Sequence, residues 1–267
     1  MKKASIFLCL VCFSLFAFSQ TATKSKIITG ADRMEVYLPL LKGKNVAVFA
    51  NQTSIVGYTH LVDTLLKSGI KIVKIFGPEH GFRGTADAGE HVTNAVDKKT
   101  GIPVISLYGD HKKPTADDLK DVDVLLFDIQ DVGVRFYTFI SSLQYYLEAA
   151  LEFHKPLLIL DRPNPIGGKS FYGPLPDERK EPFHNIPIRH GLTIGEIAKL
   201  FLLERKVTEG KPLVCKLEIV TMENWNRADL FDATGLEWVC PSPNLRTLTT
   251  ALIYPGIGLL EITNISV

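Results

Sequence analysis

The chain has 267 residues, of which 46% are hydrophobic and 22% charged, so it can bury a sizeable core and is not built as a disordered segment. That length suits one large α/β domain, or one domain and part of another. The net charge is +1 and the basic residues are scattered, which excludes a nucleic-acid surface built on a basic patch.

Lys2 and Lys3 precede an uncharged apolar run from Ala4 to Phe18, and Ala17 and Ser19 place small residues before a cleavage point after Ser19. This is the pattern of a secretory signal peptide over residues 1–19, and the run is short of the roughly 20 residues that span a bilayer. The expected product is secreted or periplasmic, with no stable membrane anchor after cleavage. Cys9 and Cys12 fall inside the apolar run, which leaves Cys215 and Cys240 in the mature chain. They can pair in an oxidising compartment or serve as two small buried hydrophobes.

Short runs rich in Val, Ile and Leu predict strands over Asn45–Ala50, Ile70–Phe76, Pro103–Leu107, Val122–Phe127 and Pro156–Leu160. Most are apolar on consecutive residues, the mark of strands covered on both faces in a parallel sheet. Helices are predicted over Thr59–Ser68, Thr115–Leu119, Phe139–Phe153 and Thr193–Glu204, the last opened by a capping box of Thr193 and Glu196. Alternating strands and helices imply a Rossmann-like, doubly wound, mostly parallel α/β sheet. Beyond about residue 205 the pattern changes. A strand is predicted over Leu213–Val220, then a loop with Trp225, a strand-like run over Glu237–Cys240, and the turn Pro241-Ser242-Pro243-Asn244. Ala251–Leu260 is apolar, and Thr263–Val267 follow it directly.

Ligands of open α/β sheets bind outside the carboxyl ends of the strands. The residues after each predicted strand are therefore the candidates. They are Asn51 after the first; Glu79, His80 and Arg83, then Glu90, after the second; Tyr108 after the third. Asp128, Asp131, Arg135 and Tyr137 follow the fourth, and Asp161 and Arg162 the fifth. Arg189, His190 and Asn244 join them from later loops. Four carboxylates, Glu79, Glu90, Asp128 and Asp131, cannot all ionise cheaply in one cleft, and a carboxyl kept protonated is what general acid catalysis needs. Each has a structural reading too: an Asp after a strand is commonly a cap or turn residue, and Asp161-Arg162 can be an ion pair.

No Gly-x-Gly-x-x-Gly or Gly-x-x-x-x-Gly-Lys-Ser/Thr occurs, so no nucleotide cofactor is expected. No Gly-x-Ser-x-Gly elbow marks an esterase. Glu79, His80, Asp128 and His190 are ligand types that suit zinc or manganese, but their spacing matches no metal motif. No metal and no cofactor is therefore assigned.

The stretches GPEHGFRG (77–84), AGE (88–90), FDIQDVGVRFYT (127–138), LDRPNP and GG (160–168), IPIRHGLT and GE (186–196) and WVCPSPN (238–244) carry a resemblance. The sequence resembles the NamZ-type exo-β-N-acetylmuramidases, formerly a family of unknown function. The resemblance implies a glycosidase that releases N-acetylmuramic acid from the non-reducing end of peptidoglycan fragments. Its catalytic domain would be Rossmann-like, bind no dinucleotide and span residues 20–250. It also implies a second domain, of which 251–267 would be only the beginning, with Ala251–Leu260 left exposed.

Two carboxyl groups normally flank a glycosidic bond that is hydrolysed. Glu90 and Glu79 are the expected pair, with Asp128 and Asp131 as partners or sugar-hydroxyl ligands. Arg135, Arg83 and Arg189 are candidates for the lactyl carboxylate, and Tyr108, Tyr137 or Trp238 for stacking on a ring. The expected partners are peptidoglycan-derived muramyl saccharides. Two other classes remain: a muramyl-sugar binding protein without turnover, and a metal-dependent cell-wall hydrolase.

Overall fold

A computed structural model describes residues 25–84, 94–176, 185–209 and 216–262, and orders a seven-stranded sheet at their centre. Its strands are β1 (Asn45–Ala50), β4 (Lys71–Gly77), β5 (Ala95–Val96), β6 (Pro103–Ser106), β7 (Val124–Asp128), β8 (Leu157–Leu160) and β9 (Leu217–Val220). The order across the sheet is β5-β6-β4-β1-β7-β8-β9, and every pairing is parallel except β5 with β6. Leaving out the short β5 and counting the rest in chain order gives 3-2-1-4-5-6, the order of dinucleotide-binding sheets. The order reverses between β1 and β7, where Ala50 lies opposite Asp128.

The strands alternate side chains between two cores. Ala47, Phe49, Leu125 and Phe127 face one side, and Val46, Val48, Val124 and Leu126 the other. Helices α1 (Met34–Leu41) and α2 (Leu61–Lys67) cover the second side through Tyr37, Leu41, Leu61 and Leu65. Helix α3 (Ala116–Leu119) is a single turn. Helices α4 (Phe139–Glu152) and α5 (Ile194–Glu209) cover the first side, with Leu143, Leu147, Ile197 and Phe201 in its core. Both faces of β1 and β7 are therefore apolar, which is why their sequences run hydrophobic without alternation. Phe49 and Phe127 stack across the pair at 5.1 Å.

Three local expectations change. The helix predicted from Thr59 begins at Leu61, because Ile55–Val56 and Thr59–His60 form a small hairpin (β2 and β3) around Gly57, whose φ is 58°. His60 then caps α2: its Nδ1 accepts the Val62 amide at 3.2 Å. Helix α1 was not predicted, since it has no side-chain cap and carries Pro39 within it. The run before Cys240 forms no strand; residues 236–240 are irregular. The capping box is present at α5: Thr193 Oγ1 accepts the Glu196 amide at 3.3 Å, and Glu196 Oε2 accepts the Thr193 amide at 3.0 Å.

Residues 251–262 form the end of helix α6 (Leu248–Ile257) and a 3-10 turn, Gly258–Ile262. Ala251 and Tyr254 pack into the core, while Leu252, Ile253, Leu259 and Leu260 are exposed. Among the described residues no helix is long and apolar enough to cross a membrane. The signal-like segment, Glu90 and Cys215 lie outside the described residues; Cys240 is exposed.

Candidate active site

The carboxyl ends of β4, β6 and β7 deliver polar residues to one cleft of about 310 Å³. Glu79 and His80 come from the turn after β4, Tyr108 from the loop after β6, and Tyr137 and Thr138 from the segment leading into α4. The far wall is Ser242, Asn244 and Tyr254. The turn after β4 is tight: a Cβ on Gly77 would approach the Phe82 amide nitrogen at 3.0 Å, and His80 itself has φ 70°. A bulky residue in the left-handed region is a strained arrangement of the kind found at functional sites.

Glu79 is the carboxylate that the described residues bring to this cleft. Tyr108 donates its hydroxyl to Glu79 Oε1 at 2.9 Å, and Thr138 Oγ1 lies 3.4 Å from Oε2. Burial and the Glu79 hydrogen bond both push the Tyr108 hydroxyl above its usual range, so it stays a donor. Burial does the same for Tyr137. The cleft thus joins one oriented carboxylate to aromatic rings and short polar groups, a surface suited to a sugar ring with hydroxyls.

The three candidate carboxylates among the described residues, Glu79, Asp128 and Asp131, are not pooled. Asp128 is fully buried and bound by Arg162, whose Nε and Nη2 donate to Oδ1 and Oδ2 at 2.5 and 2.8 Å. Burial pushes the Asp128 carboxyl up and the guanidinium opposes it. Asp131 is buried too. Its Oδ2 accepts the Gly133 amide at 2.7 Å and lies 3.2 Å from His190 Nε2. His190 Nδ1 accepts the Leu192 amide at 3.1 Å, so a neutral ring carries its proton on Nε2, toward Asp131.

Other candidates hold the scaffold. Asp161 anchors the start of α5: Thr193 Oγ1 and the Gly195 amide both donate to it at 2.9 Å. Asn51 Oδ1 accepts the Thr53 amide and hydroxyl at 2.9 and 2.6 Å, closing the turn after β1. Its Nδ2 is buried without a partner among the described residues. Arg83 forks onto Asp97 at 2.8 and 3.0 Å and lies 3.6 Å from Asp63, so its charge is neutralised locally. Arg135 donates to the Pro174 and Ile186 carbonyls, both at 2.7 Å, and Arg189 donates to the Ile166 carbonyl and stacks on Tyr172. Arg135 therefore ties the segment after β7 to the loop after β8, and Arg189 binds that loop to itself. Glu79, His80, Asp128 and His190 do not assemble as ligands: among the described residues no group of three or more His, Cys, Asp or Glu is placed to hold a metal ion.

Thr138, Ser242 and Tyr254 belong to the cleft but were not singled out in the sequence. Thr138 directly follows Tyr137, and Ser242 lies in the Pro241–Asn244 turn, so both had a local signal. Tyr254 had none, because it sits in an apolar helix. The Ser242 segment is fixed by Gln52, whose Nε2 donates to the carbonyls of Cys240 and Pro241 at 2.9 and 3.0 Å. Gln52 in turn packs on Gly84, where φ is 67° and a Cβ would come within 2.5 Å of its side chain. Gly84→Ala is expected to cost about 1–3 kcal/mol and to release this segment. Thermal unfolding checks the loss, and an unchanged Tm would show that Gln52 relaxes freely.

Fold and site together define a doubly wound α/β domain with a carboxylate-bearing cleft at the carboxyl edge of its sheet. The chain belongs to the NamZ family: the family described as exo-beta-N-acetylmuramidase NamZ, N-terminal, matches residues 46–249. It is 45% identical over 254 residues to the peptidoglycan beta-N-acetylmuramidase NamZ of Bacillus subtilis (strain 168), covering 93% of this chain and 60% of that protein. Two crystal structures of DUF1343 family proteins from Bacteroides fragilis NCTC 9343 share the fold, each at 38% identity, with TM-scores of 0.79 and 0.76. They match over 88% and 89% of this chain and 60% and 62% of their own lengths. The chain thus spans about 60% of the length of these relatives.

Proposed function

We propose that this chain is an exo-acting glycosidase that releases N-acetylmuramic acid from the non-reducing end of peptidoglycan fragments. The observation that carries this reading is the 45% identity, over 93% of the chain, to a peptidoglycan beta-N-acetylmuramidase. The Glu79 cleft supports it. A glycosidic oxygen needs a carboxyl group on one side and a second carboxyl on the other. Glu79, oriented by Tyr108 and Thr138, is one of the two. Glu90, the expected second, is assigned from the family resemblance. The aromatic wall of Tyr108, Tyr137 and Tyr254 can flank a sugar ring. Export through the segment 1–19 belongs to the same proposal, because the substrate is a wall fragment.

The test is release of N-acetylmuramic acid from a chromogenic N-acetylmuramide and from the N-acetylmuramyl-N-acetylglucosamine disaccharide. Failure to release it from either would overturn the reading. Binding of the disaccharide without turnover would favour a muramyl-sugar binding protein instead. Within the reading, Glu79→Gln is expected to lower turnover about 100-fold, the scale of a lost general acid or base. An unchanged rate removes Glu79 from that role.

A further inference from the structure

A second cleft opens on the same edge of the sheet, beside the first. Its volume is about 280 Å³, and its floor includes Thr53 after β1, Gln130 after β7 and Arg162 after β8. The segment 235–245 runs between the two clefts. Leu236, Glu237 and Trp238 line the second, and Ser242, Asn244 and Leu245 line the first. Gln52 clamps the middle of this strap through its hold on Cys240 and Pro241, and the Trp238 indole N–H donates to the Leu245 carbonyl at 3.1 Å. The strap is therefore a fixed ridge with a cleft on each side.

Floor and rim differ in chemistry. On the floor, Arg162 is spent on Asp128 and the Ile55 carbonyl, and Gln130 Nε2 on the carbonyls of Asp131 and Pro163. On the rim, Lys26 and Glu237 have no side-chain hydrogen bond or ion pair to any described residue. Tyr58, at the tip of the β2–β3 hairpin, is 95% exposed. The hairpin that presents it is tied down: the Gly57 amide donates to Asp32 Oδ1 at 3.1 Å. The cleft thus offers a fixed indole, an exposed phenol ring, and a cation and a carboxylate that no described side chain engages. An aromatic ring beside an unspent donor and an unspent acceptor suits a pyranose, whose C–H face stacks while its hydroxyls both give and take hydrogen bonds. A volume at the low end of ligand sites fits one ring rather than a chain.

We infer that this second cleft, walled by Trp238 and rimmed by Tyr58, Lys26 and Glu237, is a saccharide-binding site for a single pyranose ring, distinct from the Glu79 cleft. The inference rests on the glycan reading of the first cleft for its biological setting, but its geometry is independent of turnover. An enzyme that acts at the end of a glycan gains hold of a polymer through such a site without adding anything to the chemistry.

The chain has two tryptophans, so its two indole N–H signals in a nitrogen-15 spectrum report the second cleft separately from the rest. The probe is the N-acetylglucosamine disaccharide chitobiose, which carries no lactyl group. Saturable movement of the Trp238 signal, with Trp225 still, is expected. Tyr58→Ala should weaken that binding at least about tenfold, and Glu79→Gln should leave it unchanged. Tyr58 is exposed, so its removal does not threaten the fold, and a Trp225→Phe variant assigns the signals. If Trp238 does not move at millimolar sugar, or if its movement is lost in Glu79→Gln and kept in Tyr58→Ala, the inference is overturned. Failure of the glycosidase reading would appear elsewhere, as no turnover of the chromogenic muramide.

Discussion

Arg162→Met is expected to lower the unfolding free energy by about 3–5 kcal/mol, the cost of leaving a buried carboxylate without its partner. Asp128 is fully buried, and Arg162 is 6% exposed. The two make a bidentate pair, and Arg162 Nη2 also donates to the Ile55 carbonyl at 2.9 Å. In the variant the carboxyl at the end of β7 must either ionise without a counter-charge or hold a proton, and the second choice becomes more costly as pH rises. The loss should therefore be larger at pH 8 than at pH 5. The double variant Asp128→Leu/Arg162→Met removes both charges and should recover most of the stability, because a buried pair is worth little against apolar residues of similar size. Denaturant unfolding of the two variants decides the matter. A loss under about 1 kcal/mol in the single variant would mean that water reaches Asp128.

This pair also shows where reading the sequence stops. Asp128 stands at the end of a strand at the point where the sheet order reverses, which is where α/β proteins place ligands, and its residue type fits catalysis. Its partner is 34 positions away, at the end of β8, and only the pairing of β7 with β8 brings the two together. Arg83 is the same case: Asp97 and Asp63 capture it through contacts that no local spacing announces. The strands were legible for the opposite reason. Burial of both faces writes an uninterrupted apolar run into β1 and β7, and a capping box writes Thr193 and Glu196 three residues apart. The cleft was half legible. Glu79, His80, Tyr108 and Tyr137 follow directly from strand ends. The wall made by Ser242 and Tyr254 comes from more than 130 residues further along than Tyr108, Ser242 from the strap that Gln52 holds and Tyr254 from helix α6.

A buried carboxyl, Asp161, and a partly buried imidazole, His60, should give stability curves that lean in opposite directions with pH. Burial pushes the Asp161 carboxyl up to about 6, against its hydrogen bonds from Gly195 and Thr193. Its folded form therefore holds a proton more tightly than the unfolded chain. The stability from this group is fully present below about 4 and lost as pH rises through 6, a change of about 3 kcal/mol. His60 is the reverse. Burial lowers its imidazole to about 4, and its neutral form donates from Nε2 to the Asn51 carbonyl at 2.9 Å while Nδ1 caps α2. Its contribution is fully present above about 6.5 and lost as pH falls through 4, again about 3 kcal/mol. Between pH 4 and 6 the two changes offset each other. Asp161→Asn removes one side of this balance. The stability difference between the parent protein and Asp161→Asn is expected to be largest near pH 4 and to shrink by about 3 kcal/mol toward pH 6.5. The difference for His60→Gln should run the other way, largest near pH 7 and shrinking toward pH 4. Denaturant titrations at four or five pH values measure both curves, and the subtraction cancels the carboxylates that all three proteins share. Parallel curves, or an Asp161→Asn difference that is constant with pH, would show that Asp161 is solvated in the native protein and that its role at the start of α5 is that of an ordinary ionised cap.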